Sequence, residues 1–147
     1  MIKTSLRKIK IFKPCEDGYK KALAFFCDID KEISLLDIIE SNGIEDALWC
    51  LRVWPEHDRE WRLFAVWCAR QVQHLLTNDQ SIHALDIAEK YANGKASQAE
   101  LSAAWFAAGD AANSAAWSAD WDASWSAARA SQKEHLIKIV KELEDGE

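Results

Sequence analysis

The sequence predicts an all-α protein: a single-domain helical bundle of about six to seven helices, with a long Ala/Trp-rich helix near its C-terminus. Three observations lead there. Apolar residues recur at three- and four-residue spacing through most of the chain. Capping residues, prolines and Asn-Gly or Ser-Asn-Gly stops punctuate that pattern at short intervals. From residue 97 to 143 there is no proline, and alanine, the best helix former, dominates the first half. The domain expected is 1–147, with a basic segment at 1–15 and the long helix at 97–143.

The elements follow in order. Residues 3–12 are ambiguous, because Ile9 and Ile11 alternate with Lys8 and Lys10 as in a strand, while Ile2, Leu6 and Ile9 share a helical face. Nothing else in the chain reads as β, so a short helix is favoured, ended by Pro14. Tyr19, Ala22, Leu23 and Phe26 mark a helix near 16–27. Asp30 is a candidate cap for a helix carrying Ile33, Leu36 and Ile39, stopped at Ser41-Asn42-Gly43. Ala47, Leu48 and Leu51 continue from about Ile44 until Pro55. Asp58 opens a longer helix to about Thr77, with Trp61, Phe64, Ala65, Cys68, Val72 and Leu75 on one face. Ile82, Leu85, Ala88 and Tyr91 place another before the left-handed stop at Asn93-Gly94.

Ser97 and Glu100 then form an S-x-x-E capping box, the strongest helix start in the chain. Beyond it, residues 102–129 repeat a four-residue unit seven times: SAAW, FAAG, DAAN, SAAW, SADW, DASW, SAAR. A period of four on a helix of 3.6 residues per turn advances the stripe by about 40° per unit. Trp105 and Trp117 therefore point about 120° apart, and Trp121 and Trp125 drift further. Such a stripe must be covered from several sides or offered to a partner. A single helix over 97–143 would be about 70 Å long, against a diameter near 40 Å for a compact domain of this size. It must break, project or pair with another chain. Gly109 with Asn113, and Ala130-Ser131-Gln132, are the candidate hinges. Beyond them His135, Leu136, Ile139, Val140 and Leu143 resume an amphipathic pattern.

The totals exclude several classes. Apolar residues make up 49% and charged residues 29%, the balance of an ordinary soluble chain. No apolar run is long enough for a bilayer, and MIKTSLRKIKIFKP lacks the apolar core of a signal peptide, so no membrane role and a cytoplasmic location are expected. The net charge of −6 is uneven. Lys3, Arg7, Lys8, Lys10 and Lys13 crowd the first 13 residues without an acid, leaving −11 for the remainder. Residues 28–46 hold Asp28, Asp30, Glu32, Asp37, Glu40, Glu45 and Asp46 against Lys31 alone. This balance argues against nucleic acid as a partner and permits a basic one.

Catalytic signals are weak. His57, His74, His83 and His135 form no metal-ligand pair, and Cys15, Cys27, Cys50 and Cys68 are too dispersed for a zinc site. The cysteines read as buried, reduced thiols. There is no glycine-rich phosphate loop and no nucleophile elbow around the serines. Asp120 and Asp122 sit about 200° apart on a helix and cannot share a metal. No catalytic residue, metal or cofactor is expected. Each tryptophan buries about 150–250 Å², so Trp117, Trp121 and Trp125 suit either a core shared with Trp61, Phe64 and Trp67 or a protein interface.

Three segments carry a resemblance. ALWCLR (47–52) is a loose form of a D-W-x-x-W-L-L helix, and REWRLFAVWCARQV (59–72) resembles R-x-L-x-L-A-A-C-x-x-A-R. ALDIAEKYANGKASQAEL (84–101) resembles A-I-E-x-A-E-x-[WY]-A-x-G-x-A-[ST]-x-x-E-L, joining helix, glycine stop and capping box in fixed order. Together they resemble a family of immunity proteins of bacteria and phages. The resemblance implies a small helical protein that neutralises a toxin or a defence component, without catalytic residues. The expected function is therefore a non-enzymatic inhibitor acting stoichiometrically on a protein target. Its contacts would be Asp37, Glu40, Glu45 and Asp46 on the acidic segment and Trp117, Trp121 and Trp125 on the repeat. The alternative is a self-assembling module, a homodimer paired through the Ala/Trp helix.

Overall fold

A computed structural model describes residues 2–71, 73–75, 79–104 and 121–146, with the side chains of Leu75 and of 121–128 excepted. The described residues are helical apart from short turns and one two-stranded ladder, as the all-α expectation holds. They form two compact units, Met1–Glu56 with Lys133–Glu147, and His57–Gln132.

The first unit begins with strand β1 (Lys3–Thr4) and helix α1 (Leu6–Ile11), so the ambiguous segment contains both a strand and a helix. Its partner is β2 (Ile33–Ser34), which pairs antiparallel with Lys3 opposite Ser34 and Thr4 opposite Ile33. A two-residue strand leaves no alternation to read, which is why the sequence showed no partner. Helix α2 (Glu16–Phe26) follows, then α3 (Leu35–Asn42) and α4 (Ile44–Cys50), packed in sequence as α1 on α2, α2 on α3 and α3 on α4. A 3₁₀ turn at Leu51–Val53 leads to Trp54, whose indole Nε1 donates to the Lys3 carbonyl at 3.2 Å. The core of this unit is Ile2, Leu6, Ile9, Ala22, Phe26, Ile33, Leu35, Ile38, Ile39, Ile44, Ala47 and Trp54, with Leu136 and Val140 fully buried.

The structure departs from the sequence pattern at the start of α3 and in the burial of the cysteines. Helix α3 starts at Leu35 rather than after Asp30, because Ser34 and Asp37 close a capping box. The Ser34 amide donates to Asp37 Oδ2 at 2.7 Å and the Asp37 amide to Ser34 Oγ at 3.1 Å. Asp30 is instead gripped by both arms of Arg7, at 2.5 and 2.8 Å, and this pairing holds the Asp30 carboxyl below the usual carboxylate range. The cysteines are not uniformly buried either. Cys15 caps α2, its Sγ accepting the Gly18 N–H at 3.4 Å, and Cys27 occupies the left-handed stop of that helix at φ 58°. Both are exposed. Cap positions lie at helix ends, where side chains face outward to reach the backbone.

The second unit pairs α5 (Asp58–Gln71) with α6 (Asp79–Ala92). Trp61, Phe64 and Val66 are its buried side chains on α5, and Phe64 stacks on Trp67 at 6.3 Å. Val66 takes the buried place that the pattern gave to Ala65, which is exposed. Arg70 spans the two helices, donating to Asp86 at 2.6 Å and Glu89 at 3.1 Å. Gly94 supplies the expected stop at φ 70°, and the Lys95 amide closes it on the Lys90 carbonyl at 2.7 Å. The capping box then forms as read. The Ser97 amide donates to Glu100 Oε2 at 2.7 Å and the Glu100 amide to Ser97 Oγ at 3.2 Å, starting α7 at residue 98, which is described as far as 104.

Helix α8 runs from Trp121 to Asp145 without interruption. The hinge expected at Ala130-Ser131-Gln132 is therefore absent. None of the three residues breaks a helix, and Arg129 reaches Gln132 Oε1 one turn on at 2.9 Å. The other hinge, Gly109 with Asn113, lies outside the described residues, as do Trp105 and Trp117.

Two outcomes are expected. Ser34→Ala removes a cap and should lower the unfolding free energy by about 1 kcal/mol in urea titration. An unchanged midpoint would show that the box contributes nothing. Burial pushes the Cys50 thiol up to about 12 and the Cys68 thiol up to about 11. Iodoacetamide at neutral pH should therefore label Cys15 and Cys27 in the native chain, with Cys50 and Cys68 labelled only after unfolding, as read by mass spectrometry.

Candidate binding cleft

The first unit carries an open cleft of about 220 Å³ between α1, α2, α3 and α4. Leu6, Ile9, Ala22 and Ile38 supply apolar walls, and Tyr19 and Trp49 supply rings. Among the described residues its charged lining consists of Glu45 and Asp46, and no lysine, arginine or histidine lines it. Both acids belong to the first turn of α4, where the helix dipole favours carboxylates.

Asp46 is positioned by a small polar bridge. Asn42, the last residue of α3, donates one amide hydrogen to Asp46 Oδ2 at 2.7 Å and the other to the Gly18 carbonyl at 2.8 Å. Ser41 Oγ donates to Asn42 Oδ1 at 2.8 Å, so the orientation of the amide is fixed. Every hydrogen-bonding group of that amide side chain is thereby used, and α2, α3 and α4 are joined at one point. Gly18 makes the bridge possible. A Cβ at that position would lie 2.8 Å from Asp46 Oδ2 and 3.0 Å from Cys15 Sγ. Asp46 is half-buried and has no cationic partner among the described residues. Its charge adds to burial in raising the Cys50 thiol, which lines the same cleft and is 5% exposed.

The cations of this region stand outside the lining. The Lys10 ammonium sits 5.7 Å from the Tyr19 ring and the Arg52 guanidinium 4.3 Å from that of Trp49. Lys21 donates to the Asn42 carbonyl at 3.3 Å. Both rings thus already attract positive charge within the chain.

The acids of 28–46 have divided roles. Asp28 Oδ1 accepts the Asp30 amide at 2.8 Å, Asp30 binds Arg7, Glu32 binds Lys3 at 2.6 Å, and Asp37 is used in the cap of α3. Glu40 is exposed on α3. Of the four acids expected at a partner contact, Glu45 and Asp46 are brought together at the cleft and Asp37 and Glu40 are not. Of the three tryptophans, Trp117 lies outside the described residues. Trp121 and Trp125 fall on α8, and their side chains lie outside the description. The cleft residues that pattern reading missed are Cys15, Gly18, Tyr19, Asn42 and Trp49. The one available signal was Gly18, a glycine inside a helical pattern with no turn to serve.

A second groove, about 290 Å³, lies in the second unit between α5, α6 and α7. Ala65, Val66, Ala69, Leu85, Ala88, Tyr91 and Leu101 line it, with Arg62 as its charged member. Arg62 is already bound to Asp58 at 2.5 Å and lies over the Tyr91 ring. Among the described residues no histidine lines either recess, and no three His, Cys, Asp or Glu side chains gather as a metal set. No helix among the described residues is long and apolar enough to cross a membrane. Comparison of the chain with protein-family models, curated proteins and solved structures found no match.

Gly18→Ala tests the bridge. Alanine favours the helix by about 1 kcal/mol, so the thermal midpoint should hold or rise slightly. The new methyl must displace Asp46, and the Asn42 side-chain amide protons should exchange faster with solvent by NMR. Unchanged exchange would show that the bridge does not depend on the missing methyl.

Proposed function

We propose that this chain is a protein-binding inhibitor of the immunity type, acting stoichiometrically on a toxin or defence component through the cleft of its first unit. One observation carries the reading: a half-buried carboxylate without a cationic partner among the described residues, fixed by a neutral amide at the wall of an apolar recess. Keeping a charge partly out of water without a counter-ion is costly. A partner that brings the counter-ion recovers that cost, and the apolar walls add contact area. Exposed apolar side chains of the same unit fit a docking surface as well. Ile11 is 75% exposed and Phe25 55%. The inhibitor class itself comes from the resemblance of 84–101 to immunity proteins, and the cleft supplies the contact.

Site-directed photo-crosslinking tests this. A benzophenone amino acid at Glu45, on the cleft, should capture one cellular protein at 1:1 stoichiometry. The same group at Lys95, an exposed residue of the second unit, should not. Equal capture at both positions, or none at Glu45, overturns the proposal.

A further inference from the structure

The geometry points to a more specific occupant for this cleft: a single lysine or arginine side chain of the partner protein, its aliphatic stem on the apolar walls and its cation on Asp46. This inference rests on the protein-binding reading and adds the chemistry of the group recognised.

Size comes first. At about 220 Å³ the recess is smaller than the roughly 300–1,000 Å³ of small-molecule sites. It suits one long side chain. The walls come second. Leu6, Ile9, Ala22 and Ile38 offer an apolar surface to a methylene stem, as snorkelling cations require. Charge comes third. Asp46 lines the cleft and no basic residue does among the described residues, so an anionic occupant would meet like charge. Asp46 Oδ2 is engaged by Asn42 while Oδ1 has no hydrogen-bond donor among the described residues. The carboxylate can therefore accept a new charge-assisted bond without giving up the one that orients it. Tyr19 and Trp49 also line the cleft, each with a cation of the chain already on its ring, Lys10 and Arg52. The buried Cys50 thiol has no hydrogen-bond partner among the described residues, and on the same wall it is too weak a donor to hold an anion.

The test uses the full chain, labelled with ¹⁵N, and three small probes. These are N-acetyl-lysine methylamide, the arginine equivalent, and N-acetyl-norleucine methylamide, which keeps the stem and lacks the charge. The lysine or arginine probe should shift the Asn42 side-chain amide and the Trp49 indole signals in a saturable way. Norleucine should bind about tenfold more weakly, the margin expected for one charge-assisted bond. Added salt should narrow that margin. Asp46→Asn keeps an acceptor for Asn42, so the fold should be retained, as thermal unfolding will confirm. It should lower the affinity for the basic probes about tenfold and leave norleucine unchanged. Equal binding of norleucine and lysine, or undiminished lysine binding by Asp46→Asn, overturns the cation assignment and leaves the docking recess standing. If no probe shifts these signals the assignment also falls, and capture at Glu45 then decides the protein-binding reading separately.

Discussion

The pairing of residues 3–7 with residues 29–34 is the constraint on which the first unit depends. The backbone ladder is only two residues deep, Lys3 with Ser34 and Thr4 with Ile33. It is extended by the Arg7 amide on the Ile29 carbonyl at 3.0 Å and by the ion pairs Arg7–Asp30 and Lys3–Glu32. Those ion pairs are exposed and contribute little stability singly. Their role is geometric, since the two arms of Arg7 fix one orientation. With this seam closed, α1 and α2 become a hairpin beside α3, and the walls of the cleft come together. Trp54, bonded to the Lys3 carbonyl, draws the chain after α4 onto the same seam.

The seam also changes the meaning of the charge asymmetry. A basic run at 3–13 and an acidic run at 28–46 look, in sequence, like two surfaces awaiting two partners. In the fold, Lys3 and Arg7 of the one neutralise Glu32 and Asp30 of the other. Asp30 and Glu32 are answered within the chain, Asp28 orders its own loop, and Asp37 serves a helix start. The acid of this run that stays half-buried without a cationic partner among the described residues is Asp46, on the first turn of α4. A charge count could not make that separation, because contacts between residues more than twenty positions apart decide it.

What was legible follows the same division between local and distant. Helix α2, the start of α5, the stop at Gly94 and the capping box at Ser97–Glu100 are set within a few residues, and the pattern shows them. The start of α3 is harder to see, because Asp30 looks like a cap and Ser34 does not stand out, although only Ser34 has its partner three residues on. Leu136 and Val140 were recognisable as a buried stripe from their spacing. Glu45 and Asp46 were visible as acids, whereas their neighbours Gly18 and Asn42 were visible only as a helix weakener and a helix stop. The cleft is built from four helices, and no window of the sequence contains it.

The short ladder also bears on how the first unit folds. It joins segments about thirty residues apart, a loop whose closure costs about 3 kcal/mol in chain entropy before other terms. Two residue pairs and two exposed ion pairs cannot meet that cost early. The helix-on-helix contacts between neighbours, α2 with α3 and α3 with α4, lie close in sequence and can form without it. The seam is therefore expected to close late, onto an already collapsed helical core. Substitutions in β1 and β2 then act mainly on the unfolding rate, while those in the α3–α4 pair act on the folding rate.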